Sequence, residues 1–168
     1  MNRFVVIDGN AIIHRAFHAL PPLTSKNGEI ANAVYGFFSM FLKILQDLKP
    51  SYIAVCFDRP KPTFRQQLYV GYQAQRPKMA EDLAPQIIII HEVLEKAKVE
   101  IFEIDGYEAD DLIGTLAVQI VQGSAGAEVT LAGPAARQPH FVLAPSIHCG
   151  ANWGSPSSRH PRLKSRYS

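Results

Sequence analysis

An α/β fold built on a parallel sheet flanked by helices is predicted by three observations along the chain. Short, continuous apolar runs stop at or near acids. Longer stretches between them repeat apolar residues at helical spacing. Both patterns fade beyond Gln122. Continuous rather than alternating apolar runs mark strands buried on both faces, as in parallel sheets covered by helices. The sheet is expected to be incomplete at its C-terminal side and to be followed by an irregular tail.

Phe4–Ile7 reads as the first buried strand, halted by Asp8-Gly9. Asn10 is a residue type that caps helices, here one carrying Ile12, Ile13, Ala16 and Phe17 and ended by Pro21-Pro22. Thr24–Ile30 reads as a polar loop with an Asn27-Gly28 turn. From Ala31 to Leu48, the residues Val34, Phe37, Phe38, Phe41, Leu42, Leu45 and Leu48 recur at helical spacing, and Lys49-Pro50 ends the helix. Tyr52–Phe57 is a second apolar strand that runs into Asp58. Two buried strands joined by helices imply a right-handed crossover. Their C-terminal ends then share one sheet edge, where α/β proteins keep their sites. Arg59–Lys78 is basic and aromatic, Glu81–Lys96 an amphipathic helix and Val99–Ile104 a third strand. Tyr107–Val121 is another long helix, opening with Glu108, Asp110 and Asp111. Ala127–Ala132 offers one more strand, whereas Gly133–Ser168 is dense in Pro, Ser and Gly without a sustained period, as loop or disorder is.

Charge divides at the same place. Residues 1–122 hold 12 Lys+Arg and 14 Asp+Glu, a balance of −2; residues 123–168 hold 5 Lys+Arg and Glu128 alone, a balance of +4. A frameshift, an insertion or a gene break at about Gly123 would produce such a change. Cys56 and Cys149 lack the spacing of a disulfide framework or a zinc site, which points to a reducing cytoplasm. The N-terminal apolar run is too short for a signal peptide, and no stretch approaches the roughly 18 apolar residues of a membrane span. A soluble cytoplasmic protein is expected.

Three strand ends deliver acids to one edge: Asp8, Asp58, and the group Glu108, Asp110 and Asp111. Each has an ordinary explanation by itself. Asp8-Gly9 and Asp58 before Arg59-Pro60 suit turns, and acids in a first helical turn suit the helix dipole. Together they favour a site. Two unit charges about 4 Å apart repel by roughly 4 kcal/mol at an effective dielectric near 20. Converging carboxylates therefore call for a cation, and an all-oxygen set suits Mg²⁺ or Mn²⁺ rather than zinc. His14 and His18, spaced i, i+4, lack the intervening glutamate of a zinc helix and read as surface or packing residues.

These residues carry a resemblance. Phe4–Asn10, Arg15–Pro21, Ala33–Phe37, Ala54–Asp58, Phe64-Arg65, Tyr69, Tyr72, Gln75-Arg76 and, most specifically, Gly106-Tyr107-Glu108-Ala109-Asp110-Asp111 resemble the N-terminal 5′-3′ exonuclease domain of bacterial DNA polymerase I. The likeness covers residues 1–122, read as the N-terminal part of such a domain, with 123–168 as a non-matching tail. It implies a PIN-like fold that cuts 5′ ends or flaps of DNA with divalent ions, Mg²⁺ or Mn²⁺. It also implies Asp8, Asp58, Glu108, Asp110 and Asp111 as metal ligands, Asp111 the weakest match to a direct one.

Arg59, Lys61, Arg65, Arg76 and Lys78 follow Asp58 with no acid before Glu81. If Phe64–Arg76 is helical, Arg65, Tyr69, Tyr72, Gln73 and Arg76 share one face. Arg65 and Arg76 are then the catalytic phosphate-gripping pair, and the rings stack on a frayed base. The alternative is a solvated helix whose tyrosines pack on the domain. Two departures from the family stand out. Gln73 replaces a lysine that would face the scissile phosphate. In addition, Pro134 and Ala136 stand where a Gly-Asp-x-Asp pattern supplies further ligands, and no acid follows Glu128. The expectation is thus a nuclease stretch cut off before its ligand set is complete, with reduced or lost activity. A non-catalytic nucleic-acid-binding fragment and a small PIN-like ribonuclease are the alternatives.

Overall fold

The computed structural model describes residues 2–68, 79–123, 126–133 and 141–143. Strand β1 (Arg3–Asp8) is followed by helix α1 (Gly9–Ala19), helix α2 (Asn32–Leu48) and strand β2 (Tyr52–Cys56). A short helix α3 (Phe64–Leu68), helix α4 (Ala84–Lys96), strand β3 (Glu100–Phe102), helix α5 (Ala109–Gly123), and strands β4 (Glu128–Ala132) and β5 (Phe141–Leu143) complete the order. The sheet order is β3-β2-β1-β4-β5, with the first four strands parallel. β5 runs antiparallel to β4.

Alternate residues of β1 feed two cores, as period-2 side-chain direction requires. Val5 and Ile7 pack with Phe37, Phe41, Ile90 and Leu94 of α2 and α4 on one face. Val6 packs with Leu112, Leu116 and Ala117 of α5 on the other. Helices thus cover both faces, which is why the strands are apolar throughout rather than alternating. The strand order reverses beside β1: β2 and β3 extend one way, β4 the other. Ligand crevices of open α/β sheets lie outside the strand C-termini at such a reversal.

Several details depart from expectation. Asp8, not Asn10, caps α1: its Oδ1 accepts the Ala11 amide at 2.9 Å. Both types are good caps, and the start of the helix at Gly9, directly after the strand, decides between them. On α2, Leu42 faces solvent and Ile44 takes the buried position, because a 17-residue helix keeps only one stripe against the core. No side chain of its own caps α2. Buried Gln86 of α4 does so, accepting the Ala33 amide at 2.8 Å and donating to Asn32. Beyond Gly133, β5 is a regular element that no period announces. Of the basic segment, Phe64–Leu68 is helical, and Tyr69, Tyr72, Gln73 and Arg76 lie outside the described residues, as do Pro134, Ala136 and Cys149.

Candidate active site

The C-terminal ends of β1 and β2 and the start of α5 frame one cavity of about 610 Å³, lined by Asp8, Asp58, Glu108 and Asp110 among others. Parallel pairing produces this: Asp8 is in register with Cys56, two residues before Asp58, so both acids leave the sheet on one edge. The turn there is tight. A Cβ on Gly9 would lie 2.3 Å from the Phe57 ring, so only glycine lets α1 start against the end of β2. Beyond β4, a Cβ on Gly133 would lie 3.5 Å from the Asp8 Cβ, so that strand also ends beside the cavity.

Asp58 and Glu108 are oriented by hydrogen bonds. Asp58 accepts the Ala109 amide on Oδ1 at 2.7 Å and the Asn10 carboxamide on Oδ2 at 2.9 Å, which ties β2 to both α1 and α5. Glu108 accepts Arg65 on Oε2 at 3.1 Å and the Thr63 hydroxyl on Oε1 at 3.4 Å. Asp110, in the first turn of α5, is exposed and has no hydrogen bond or ion pair among the described residues. Asp111 lies away from the cavity lining, gripped by Arg65 at 2.7 and 2.6 Å. Four of the five expected acids therefore share the cavity and the fifth does not.

Among the described residues, no three carboxylate, imidazole or thiol groups converge closely enough to hold one ion as placed. The four acids surround a common space instead. Their chemistry, all oxygen and all anionic, fits hard divalent cations.

The α3 helix is fastened to this edge. The Phe64 amide donates to the Gly106 carbonyl at 2.9 Å, and the Phe64 ring lies 5.7 Å from that of Tyr107. Phe64 is therefore engaged on the domain rather than held out for a base. Gly106, at φ +87°, makes the turn that presents its carbonyl. Nearby, Asp105 pairs with Lys61 at 2.7 Å and Arg59 at 3.3 Å, and these cations hold its carboxyl below the usual range. Beneath the cavity, burial and then the charge of Asp8 push the Cys56 thiol up to about 12. It is an inert core group.

Sequence reasoning missed the α1 face. Asn10, His14, Arg15 and His18 line the same cavity, with the two imidazole rings stacked at 6.4 Å. The signal was their spacing of three to four residues along a helix that Asp8 caps.

Comparisons with known proteins identify the family and the fold. The family model described as "5'-3' exonuclease, N-terminal resolvase-like domain" matches residues 3–134, a span that includes β4. A 5′-3′ exonuclease of Aquifex aeolicus is 40% identical over 122 residues, 73% of this chain and 42% of that protein. The DNA polymerase I of Caldicellulosiruptor bescii is 44% identical over 117 residues, 70% of this chain and 14% of that protein. The chain thus spans less than half the length of the relatives it matches. In structure it resembles a bacteriophage T5 flap endonuclease variant solved as a pseudo-enzyme–product complex with DNA and metal ions. The TM-score is 0.52 at 15% identity, covering 77% of this chain and 55% of that one. The fold is the PIN-like one of 5′ nucleases, and the chain belongs to the family of 5′-3′ exonuclease N-terminal resolvase-like domains.

Proposed function

We propose that this chain binds DNA at 5′ ends or flaps and carries part of a divalent-metal phosphodiesterase centre. One observation carries the reading: Asp8, Asp58, Glu108 and Asp110, brought from three strand ends, line one cavity at the reversal of strand order. Asp8, Asp58, Glu108 and Asp110 would hold Mg²⁺ or Mn²⁺, whose bound form supplies Lewis-acid stabilisation of the phosphate. Relatives named as 5′-3′ exonuclease and DNA polymerase I, and a structural neighbour bound to DNA and metal ions, support the same chemistry. The residues of the chain do the rest. Asp58 fixes the start of α5 through Ala109, so that Asp110 faces the cavity. Arg65 and Arg76 are assigned to the phosphate backbone, and Tyr69, Tyr72 and Gln73, from the same stretch of sequence, to contact with DNA.

Cleavage by these 168 residues alone is expected to be weak. No acid follows Glu128, and Glu128 lies at the far end of β4, paired with Arg3 at 2.9 Å. It supplies nothing to the cavity. The same fact favours a second reading, a fragment that binds nucleic acid without cutting it, through Arg65, Arg76 and the basic residues that follow β4 in sequence. A labelled 5′-flap DNA, incubated with Mg²⁺ or Mn²⁺ and the parent chain, Asp8→Ala or Asp110→Ala, separates them. Weak cleavage abolished by both changes supports the nuclease. Salt-sensitive binding without cleavage supports the fragment. Preferential cutting of RNA would point to a small ribonuclease, and neither binding nor cleavage removes the DNA assignment.

A further inference from the structure

We propose that Asp111 is a positioning residue for Arg65 and not a metal ligand. The inference rests on the metal-centre reading above, to which it adds a division of labour between adjacent acids. Both Asp111 oxygens are taken. Oδ1 accepts Arg65 Nη2 at 2.6 Å, and Oδ2 accepts Arg65 Nη1 at 2.7 Å together with the Glu108 amide at 3.1 Å. Bidentate guanidinium–carboxylate pairs of this kind are short, strong and geometrically specific. The bond to the Glu108 amide is the one an acid at the third helical position makes in a capping box, here closing the first turn of α5. Asp111 therefore locks two things at once: the peptide that carries Glu108 and the guanidinium of Arg65.

The lock adjoins the cavity through Glu108. Arg65 Nη1 also reaches Glu108 Oε2 at 3.1 Å, so the cation stands beside a cavity carboxylate. Asp111 itself does not line the cavity, whereas Asp110, one residue earlier on the helix, does. Successive helical residues point about 100° apart, so α5 can give one acid to the cavity and the next to α3. Without Asp111, Arg65 keeps its charge but loses the plate that aims it. Glu108 loses the clamp on its peptide.

Manganese binding by the whole chain, measured by the loss of free Mn²⁺ resonance signal, provides the first test. Asp111→Asn, as an indirect partner acting through Glu108, is expected to weaken Mn²⁺ binding by about 10-fold, the low end for such partners, and Asp110→Asn by more than that. Equal losses for the two variants, or a larger one for Asp111→Asn, overturn the inference. No loss in either would remove the metal-centre reading, and the link between Asp111 and Arg65 is then decided by a second arm. In that arm, 5′-flap DNA binding is measured for Arg65→Ala, Asp111→Asn and the double variant. If Asp111 acts through Arg65, the double variant binds within about 2-fold of Arg65→Ala alone. Multiplying losses overturn the inference. Circular dichroism melts on each variant confirm that α5 remains folded.

Discussion

The two ends of the sheet treat carboxylates in opposite ways. Where β1 and β4 begin, Glu128 accepts Arg3 Nε at 2.9 Å, and the same guanidinium donates to the Leu48 carbonyl. The charge is balanced inside the molecule. Where β1 and β2 end, Asp58 takes its bonds from an amide and a carboxamide, and Asp110 takes none among the described residues. Neutral donors orient a carboxylate without cancelling its charge. Glu108, on the cavity wall, is paired with Arg65 at 3.1 Å, so an internal cation does not by itself mark scaffolding; what sets the site acids apart is that they line one cavity, where their mutual repulsion favours a cation from outside.

The acid end depends on one contact that can be broken directly. Gly9→Val places a branched side chain where even a Cβ lies 2.3 Å from the buried Phe57 ring. Overpacking of this kind costs about 3 kcal/mol at the upper end of its usual range. A urea unfolding midpoint well below the parent's is the expected outcome. Near-parental stability would show that the turn between β1 and α1 has slack, and with it the placement of Asp8.

Next in size is the response to metal. An ion that binds only the folded state at about 100 times its Kd stabilises by about 2.7 kcal/mol. Differential scanning calorimetry with Mn²⁺ is therefore expected to raise the parent Tm, leave Asp8→Asn unmoved, and raise Glu128→Gln as much as the parent. If Glu128→Gln also failed to respond, the contrast between the two ends would be lost.

How far this contrast was legible in sequence depends on separation along the chain. The strands and long helices were readable because burial on both faces leaves continuous apolar runs, and one-sided burial leaves a stripe. The gathering of Asp8, Asp58 and the Glu108 group followed from parallel order alone. The Gln86 cap on α2 was hidden because a glutamine 53 residues from the amide it serves looks like any helix residue. The pairing of Asp111 with Arg65 was hidden likewise, across 46 residues. β5 was illegible because three residues cannot display a period. The cavity face of α1 was visible as spaced histidines but had no partner in sequence to give it meaning.

At the scaffolding end the expected effects are smaller. Arg3 and Glu128 are both partly open to water, with side-chain exposures of 39% and 23%. A double-mutant cycle with Arg3→Ala and Glu128→Ala is expected to give a coupling of about 0.5 kcal/mol, reduced further by salt. A coupling above about 2 kcal/mol would mean that this end stores more of the fold's stability than exposed ion pairs do.

Asp105 tests the contrast most sharply, although its energetic effect is the smallest. It lies on the rim of the acid end, yet Lys61 and Arg59 match it as Arg3 matches Glu128. The hydrogen bond from Lys61 leads in lowering its pKa from 3.8. A carboxyl lowered in the folded state contributes stability above its unfolded pKa, and the contribution disappears as pH falls through the folded value. Lys61→Ala is therefore expected to move the Asp105 carboxyl titration, followed by NMR, toward higher pH. Its effect on stability should vanish in strong acid, when the carboxyl is protonated in both proteins. If lining the cavity is what separates site from scaffold, Asp105→Asn, which lies outside the lining, must keep the full Mn²⁺-induced rise in Tm despite its position. A lost response there would mean that nearness to the edge, and not a place in the cavity lining, marks the acids that take metal.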